Sequence, residues 1–260
     1  MLPVSFAHLT WPDCTVQLMS YSDAAPEFPG IHGSGFFVQF CGRVFLVTAR
    51  HCLGKIGDDL SAVAGRLMVP IVPPRTPKTL AADDYVHFRS VGRAIVNNNK
   101  GDFLGGHQGD LDLVALEVLD HRPGVTTQLL PRCVTLPPLG EWFERTLQLF
   151  ASNSEEPMLR MSGYPARGTE GNIDYDSLHV VTQGVELIGR HIGPGPYPHT
   201  RSMRIVDGTP EWDLDGMSGG PVYMRVSGDR FALVGLALNG VFPFVHFATV
   251  ECLTTAVQMC

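Results

Sequence analysis

An all-β fold is what this sequence predicts, and three observations predict it. Short apolar runs rich in β-branched and aromatic residues recur along the chain, and 28 glycines and 20 prolines are dispersed between them. Long amphipathic helical stretches are nearly absent. Many strands joined by turns require this punctuation, and evenly spaced short strands point to a sandwich or barrel. With 260 residues, 44% of them hydrophobic, the chain can bury a core either as one large domain or as two of about 120 residues.

The elements follow in order. Residues 14–20 alternate loosely and predict an opening strand. The clearest hairpin comes next: Phe36-Phe37-Val38-Gln39-Phe40 and Val44-Phe45-Leu46-Val47-Thr48 flank Cys41-Gly42-Arg43, with the glycine where a tight turn needs positive φ. Further strands are expected at 66–72, 86–96 and 113–118. Residues 120–141 carry Pro123, Gly124, Pro131, Pro137, Pro138 and Gly140 without a clear period, which reads as a crossing between two halves. Strands resume at 146–150, 158–163, 179–188, 202–206, 222–226, 232–238 and 244–250. The last ten residues suit a short helix with Leu253 and Val257 on one face.

Charge and composition narrow the function classes. A net charge of −7 gives no basic footprint for nucleic acid. No apolar run approaches the roughly 20 residues that span a bilayer. The first twenty residues lack a basic start and a continuous apolar core, so no secretory signal is expected, and Met1 reads as an intact start. The six cysteines, Cys14, Cys41, Cys52, Cys133, Cys252 and Cys260, include no Cys-x-x-Cys pair, so neither a structural zinc nor another cofactor is expected. Their even number allows three disulfides, but without an export signal free thiols in the cytoplasm are the expectation.

Three segments carry the chemistry: Val47-Thr48-Ala49-Arg50-His51-Cys52, Asp112-Leu113-Val114-Ala115-Leu116, and Gly216-Met217-Ser218-Gly219-Gly220-Pro221-Val222. A serine hydroxyl is a poor nucleophile until an imidazole takes its proton, and the imidazole needs a carboxylate to fix its tautomer. The glycines around Ser218 allow a sharp turn, and the N–H groups of Gly216 and Ser218 are then placed to bind a developing oxyanion. Singly, each segment has an ordinary reading: a turn, a satisfied polar histidine, a strand-end acid that Asp110 or Asp102 could replace. Together they make an acyl-transfer site. A metal-dependent hydrolase lacks a His-Glu-x-x-His or comparable cluster.

These segments resemble the chymotrypsin/trypsin-like serine peptidases. Thr48-Ala49-Arg50-His51-Cys52 is similar to the family's Thr-Ala-Ala-His-Cys, and Asp112-Leu113-Val114-Ala115-Leu116 to its Asp-(Ile/Leu)-Ala-Leu-Leu. Gly216-Met217-Ser218-Gly219-Gly220-Pro221 is similar to Gly-Asp-Ser-Gly-Gly-Pro. Leu233-Val234-Gly235-Leu236-Ala237-Leu238-Asn239-Gly240 resembles the strand beside the substrate backbone, and Gly33-Ser34-Gly35-Phe36 the opening of bacterial members. The order His, Asp, Ser is the family's own.

The resemblance implies two six-stranded antiparallel barrels with the active site in the cleft between them. Residues 1–122 would carry His51 and Asp112, 123–140 would link, and 141–260 would carry Ser218 and the terminal helix. It implies a serine endopeptidase acting on a protein or peptide, in an intracellular bacterial-type member that a sensor or regulatory protein could switch on. The alternative is a catalytically silent module that binds a protein segment in the cleft. Met217 stands where secreted trypsins carry the aspartate that pairs with a new N-terminus, and no Ile-Val-Gly-Gly start is present. The nucleophile loop is therefore expected to be ordered by packing or by a partner. The usual disulfide partner of Cys52 would lie near Gly33 and Ser34, where no cysteine occurs, and Cys41 is at the far end of its strand. The family's specificity pocket has its base six positions before the nucleophile, at Trp212; a shift of one residue would place Asp213 there instead. Leu238, Asn239 and Gly240 would form the far wall, with His246 near a position that glutamate-selective relatives use. A small or medium apolar residue before the scissile bond is favoured over Arg or Lys.

Overall fold

The hairpin signal at 36–48 is the seed of the first sheet. The computed structural model describes residues 14–20, 30–54, 59–73, 84–88, 112–118, 122–151, 157–165, 173–174, 179–180, 184–207, 214–227 and 230–258. Strand β1 (Thr15–Ser20) pairs antiparallel with β2 (Gly30–Phe40), and β2 with β3 (Arg43–Thr48). Cys41 and Gly42 connect β2 to β3 with φ of 49° and 79°. Positive φ at both central residues is the turn whose twist matches that of the flanking strands.

After the short helix α1 (Leu60–Ala64) come β4 (Leu67–Pro70), β5 (Tyr85–Val86) and β6 (Val114–Glu117). They complete a curled half-barrel in the order β5-β4-β1-β2-β3-β6. Helix α2 (Val125–Leu129) and strand β7 (Val134–Thr135) follow, β7 running parallel to β2.

Helix α3 (Trp142–Ala151) corrects one expectation, since residues 146–150 are helical and not a strand. Trp142, Phe143 and Thr146 are buried while Arg145 is exposed, which is the spacing of a helix face and not of a strand. The Thr146 hydroxyl donates to the Trp142 carbonyl at 2.7 Å, back along that face.

The second half is a closed six-stranded barrel. Its strands are β8 (Met158–Gly163), β11 (Val185–Pro194), β12 (Thr200–Asp207), β13 (Pro221–Ser227), β14 (Arg230–Val241) and β15 (Phe244–Thr249), closed in the order β11-β12-β15-β14-β13-β8. A separate pair, β9 (Ile173–Asp174) and β10 (His179–Val180), lies between β8 and β11 in sequence. Helix α4 (Val250–Gln258) ends the described chain. The architecture is the double barrel that the resemblance implies, with one barrel closed and the other a curled half-barrel.

Two cores result. One joins the half-barrel to α4 and to Tyr223, Leu236, Leu238 and Ala248 of the closed barrel. The other fills the closed barrel and includes Met217 and Phe143. Buried polar contacts cross between the halves: the hydroxyls of Thr15 and Ser162 are 2.6 Å apart, and Cys14 Sγ is 2.9 Å from the Tyr223 hydroxyl. Cys14, Cys41, Cys52, Cys133 and Cys252 are free thiols. Cys260 lies outside the described residues.

Candidate active site

His51 sits in a single 3-10 turn (Arg50–Leu53) that follows β3. Asp112 lies two residues ahead of β6, the strand that pairs with β3. The β3–β6 ladder therefore brings residues 61 apart in sequence side by side. The His51 backbone N–H donates to one Asp112 oxygen at 2.9 Å, and His51 Nδ1–H donates to the other. The Asp112 carbonyl in turn accepts from the Arg50 N–H at 3.3 Å. The carboxylate thus sets the imidazole's orientation and its tautomer, with Nε2 the nitrogen it does not bind. Asp110 and Asp102, the other acids considered, lie outside the described residues.

Burial lowers the basicity of the His51 ring, but the Asp112 hydrogen bond and the adjoining Cys52 sulfur outweigh it and raise its pKa to about 10. The cause is direct: a carboxylate beside an imidazolium stabilises the protonated form.

Ser218 lies in the turn before β13, between Gly216 and Gly219, which have φ of 85° and 87°. Its carbonyl accepts from the Ser34 N–H at 2.9 Å and from Cys52 Sγ at 3.4 Å. Cys52 is the residue after His51, so the serine turn of one half sits against the histidine turn of the other. A Cβ on Gly33 would lie 2.6 Å from Cys52 Sγ. Gly33 thus occupies the place of a bridging cysteine, and Cys52 is a buried free thiol.

The backbone of the serine turn alternates. The N–H groups of Met217, Gly219 and Gly220 donate to the carbonyls of Leu214, Ala237 and Met217 at 3.0, 2.7 and 3.1 Å. Among the described residues, those of Gly216 and Ser218 donate to no backbone carbonyl. Two N–H donors left open in one tight turn, among the described residues, form a concavity suited to an anion.

Met217, in the position of the family's charged aspartate, is 1% exposed and packs in the core of the closed barrel. Burial of an apolar side chain stands where an ion pair was not available.

Of the expected pocket, Leu238, Asn239 and Gly240 lie on β14, while Trp212 and Asp213 lie outside the described residues. Strand β13 pairs with β14 only as far as Leu236, so residues 239–241 keep β15 on one edge and have no strand on the other among the described residues. Leu214 lies beside Gly240, its Cδ1 3.2 Å from where a Cβ would be. His246, paired with Asn239 across the β14–β15 ladder, is half-buried, and its Nδ1 is 2.8 Å from the Ser202 hydroxyl.

Sequence reasoning passed over two residues here. Ser34 and Thr48 were noticed only as letters of motifs, yet Ser34 bonds to the serine turn and the Thr48 hydroxyl donates to the Ser34 carbonyl at 2.7 Å. A serine held between two glycines, just ahead of the apolar run at 36–40, is the one signal that points to it.

No protein-family model matches the chain, and neither does any curated protein. Among solved structures, the thermostable serine protease AL20 from an extremophilic microorganism is similar with a TM-score of 0.54 at 15% identity, over 95% of this chain and 94% of its own. A protease of M. tuberculosis in its active form has a TM-score of 0.43 at 14% identity, over 95% and 80% of the two chains. A serine protease of a human pathogenic astrovirus has 0.42 at 14%, over 95% and 94%. The half-barrel, the closed barrel and the turn that joins them at Ser218 make the fold of this chain that of the chymotrypsin-like serine proteases.

Proposed function

We propose that this protein is a serine endopeptidase with His51, Asp112 and Ser218 as its triad. The observation that carries the reading is the serine turn, which among the described residues leaves the N–H groups of Gly216 and Ser218 without a backbone acceptor while pairing those of their neighbours. A peptide carbonyl attacked by Ser218 Oγ becomes an oxyanion, and these two donors are placed to hold it. His51 Nε2 takes the serine proton and passes it to the departing amine, leaving an acyl-enzyme. Water, deprotonated by the same nitrogen, then releases the acid. Asp112 keeps Nδ1 protonated and stabilises the imidazolium.

The substrate backbone lies along the open edge of β14 at residues 238–240 as an added antiparallel strand. Leu214 beside Gly240 supports a pocket for a small or medium apolar residue. Burial of Met217 supports a loop ordered by packing, with no need for a new N-terminus. In this reading a regulatory protein would control access and not build the site.

A fluorophosphonate probe tests the reading. The chain beginning at Met1 should label at one site without prior cleavage and hydrolyse peptides, and Ser218→Ala should lose both while its melting temperature stays nearly unchanged. A wild-type chain that binds peptide in the cleft yet neither labels nor cleaves would instead be the silent binding module.

A further inference from the structure

Ser34 is fully buried at 0% exposure, and every polar group it has is used. Its N–H donates to the Ser218 carbonyl at 2.9 Å, and its hydroxyl donates to the Gly216 carbonyl at 2.8 Å. The same hydroxyl accepts from the Tyr164 N–H at 2.8 Å, and the Ser34 carbonyl accepts from Thr48 Oγ1 at 2.7 Å. One residue of the half-barrel therefore grips two carbonyls of the closed barrel's serine turn, two residues apart.

We infer that Ser34 is a positioning residue that sets the oxyanion donors by clamping the peptide units that adjoin theirs. The inference rests on the reading of Gly216 and Ser218 as those donors.

The geometry follows from the trans peptide, in which C=O and N–H point opposite ways. The unit joining Gly216 to Met217 is held at both ends, its carbonyl by Ser34 and its N–H by the Leu214 carbonyl. The unit joining Ser218 to Gly219 is held likewise, its carbonyl by Ser34 and its N–H by the Ala237 carbonyl. With alternate units fixed, the N–H groups of Gly216 and Ser218 belong to the units that remain. Fixing these units sets the Cα positions from which the two donor units hang, and the unit that carries the Ser218 N–H is also held through its Met217 carbonyl, which accepts from the Gly220 N–H at 3.1 Å.

The surroundings are shaped to admit this clamp. A Cβ on Gly163 would lie 2.9 Å from Ser34 Oγ and 3.0 Å from Met217 Sδ, and one on Gly219 would lie 2.0 Å from the Ser34 carbonyl oxygen. Glycine at both positions lets the two halves approach closely enough for the hydroxyl to bond across.

Ser34→Ala tests the inference, because it removes the hydroxyl and keeps the backbone. In the full chain, kcat per titrated active site should fall roughly tenfold to a hundredfold, less than the loss of an oxyanion donor itself. Affinity for a peptide boronate, a tetrahedral analogue, should fall by the same factor, with KM almost unchanged. A role limited to folding would lower the melting temperature and the titrated fraction but leave kcat per site and boronate affinity intact, and that result overturns the clamp. Should Ser34→Ala not fold, Ser34→Cys, with a weaker and longer donor, should show a smaller loss of kcat in the same direction; unchanged kcat overturns it. The amide resonances of Gly216 and Ser218 give a readout independent of turnover. They should shift or broaden in Ser34→Ala, and identical spectra refute the clamp even if the wild-type chain hydrolyses nothing, an outcome that would separately refute the protease reading.

Discussion

At the scale of single residues, the His51–Asp112 pair has a consequence for pH. With the ring's pKa raised to about 10, the base form of His51 grows as pH rises from neutrality into the alkaline range, and kcat/KM should rise with it. The same shift links to stability. A folded-state pKa above the unfolded value of about 6.5 means the pair's stabilisation is fully present below that pH and is lost as pH climbs through about 10. Asp112→Asn should bring the His51 titration, followed by NMR of the ring protons, down towards 6.5, and should lower kcat about 10⁴-fold, the loss seen for this change in a serine-protease triad. A His51 titration unmoved by the substitution would mean that another group governs the ring.

Elements differ in how tightly they constrain a glycine. In the β2–β3 turn, Gly42 has φ of 79° and a Cβ there would meet nothing within 4 Å, so only the backbone conformation resists substitution. Gly42→Ala should cost about 1–2 kcal/mol. In the serine turn, Gly219 has a similar φ of 87°, but its Cβ would lie 2.0 Å from the Ser34 oxygen and 2.4 Å from Thr48 Oγ1. Overpacking of this kind adds about 1–3 kcal/mol to the backbone cost, and it pushes on the residues that hold the turn. Urea unfolding should therefore rank Gly219→Ala below Gly42→Ala, with peptidase activity lost only in the former. Equal midpoints for the two variants would contradict the packing described here. The hairpin was legible in the sequence because its turn chemistry is contained in two residues. Helix α3 was not, because residues 146–150 alone fit a strand, and only Trp142 and Phe143 complete the helical face.

For the whole molecule, α4 matters out of proportion to its length. It follows β15 of the closed barrel, yet Leu253, Ala256 and Val257 are buried in the core shared with the half-barrel. The Thr254 hydroxyl donates to the Pro137 carbonyl at 3.0 Å in the connecting segment. Leu253 has 0% exposure, so Leu253→Ala should cost about 2–5 kcal/mol. Because that core takes residues from both halves, unfolding followed by tryptophan fluorescence and by far-UV circular dichroism should remain one coincident transition that shifts as a unit. Two separated transitions would show that the halves unfold independently.

The amino-acid sequence by itself determined the all-β class, the β2–β3 hairpin, and the order of His51, Asp112 and the glycine-flanked Ser218. Each of these depends on neighbours within a few residues, where side-chain alternation and turn-forming glycines act directly on the backbone. Tertiary structure alone decided what Ser34 and Met217 do. The Ser34 hydroxyl finds its partner 182 residues away, at the Gly216 carbonyl. Met217 replaces a charge by entering a core built from six strands, among them β8, β11 and β12. No local pattern encodes such contacts, since they exist only once two separately formed sheets have packed and buried the polar groups that must then be paired.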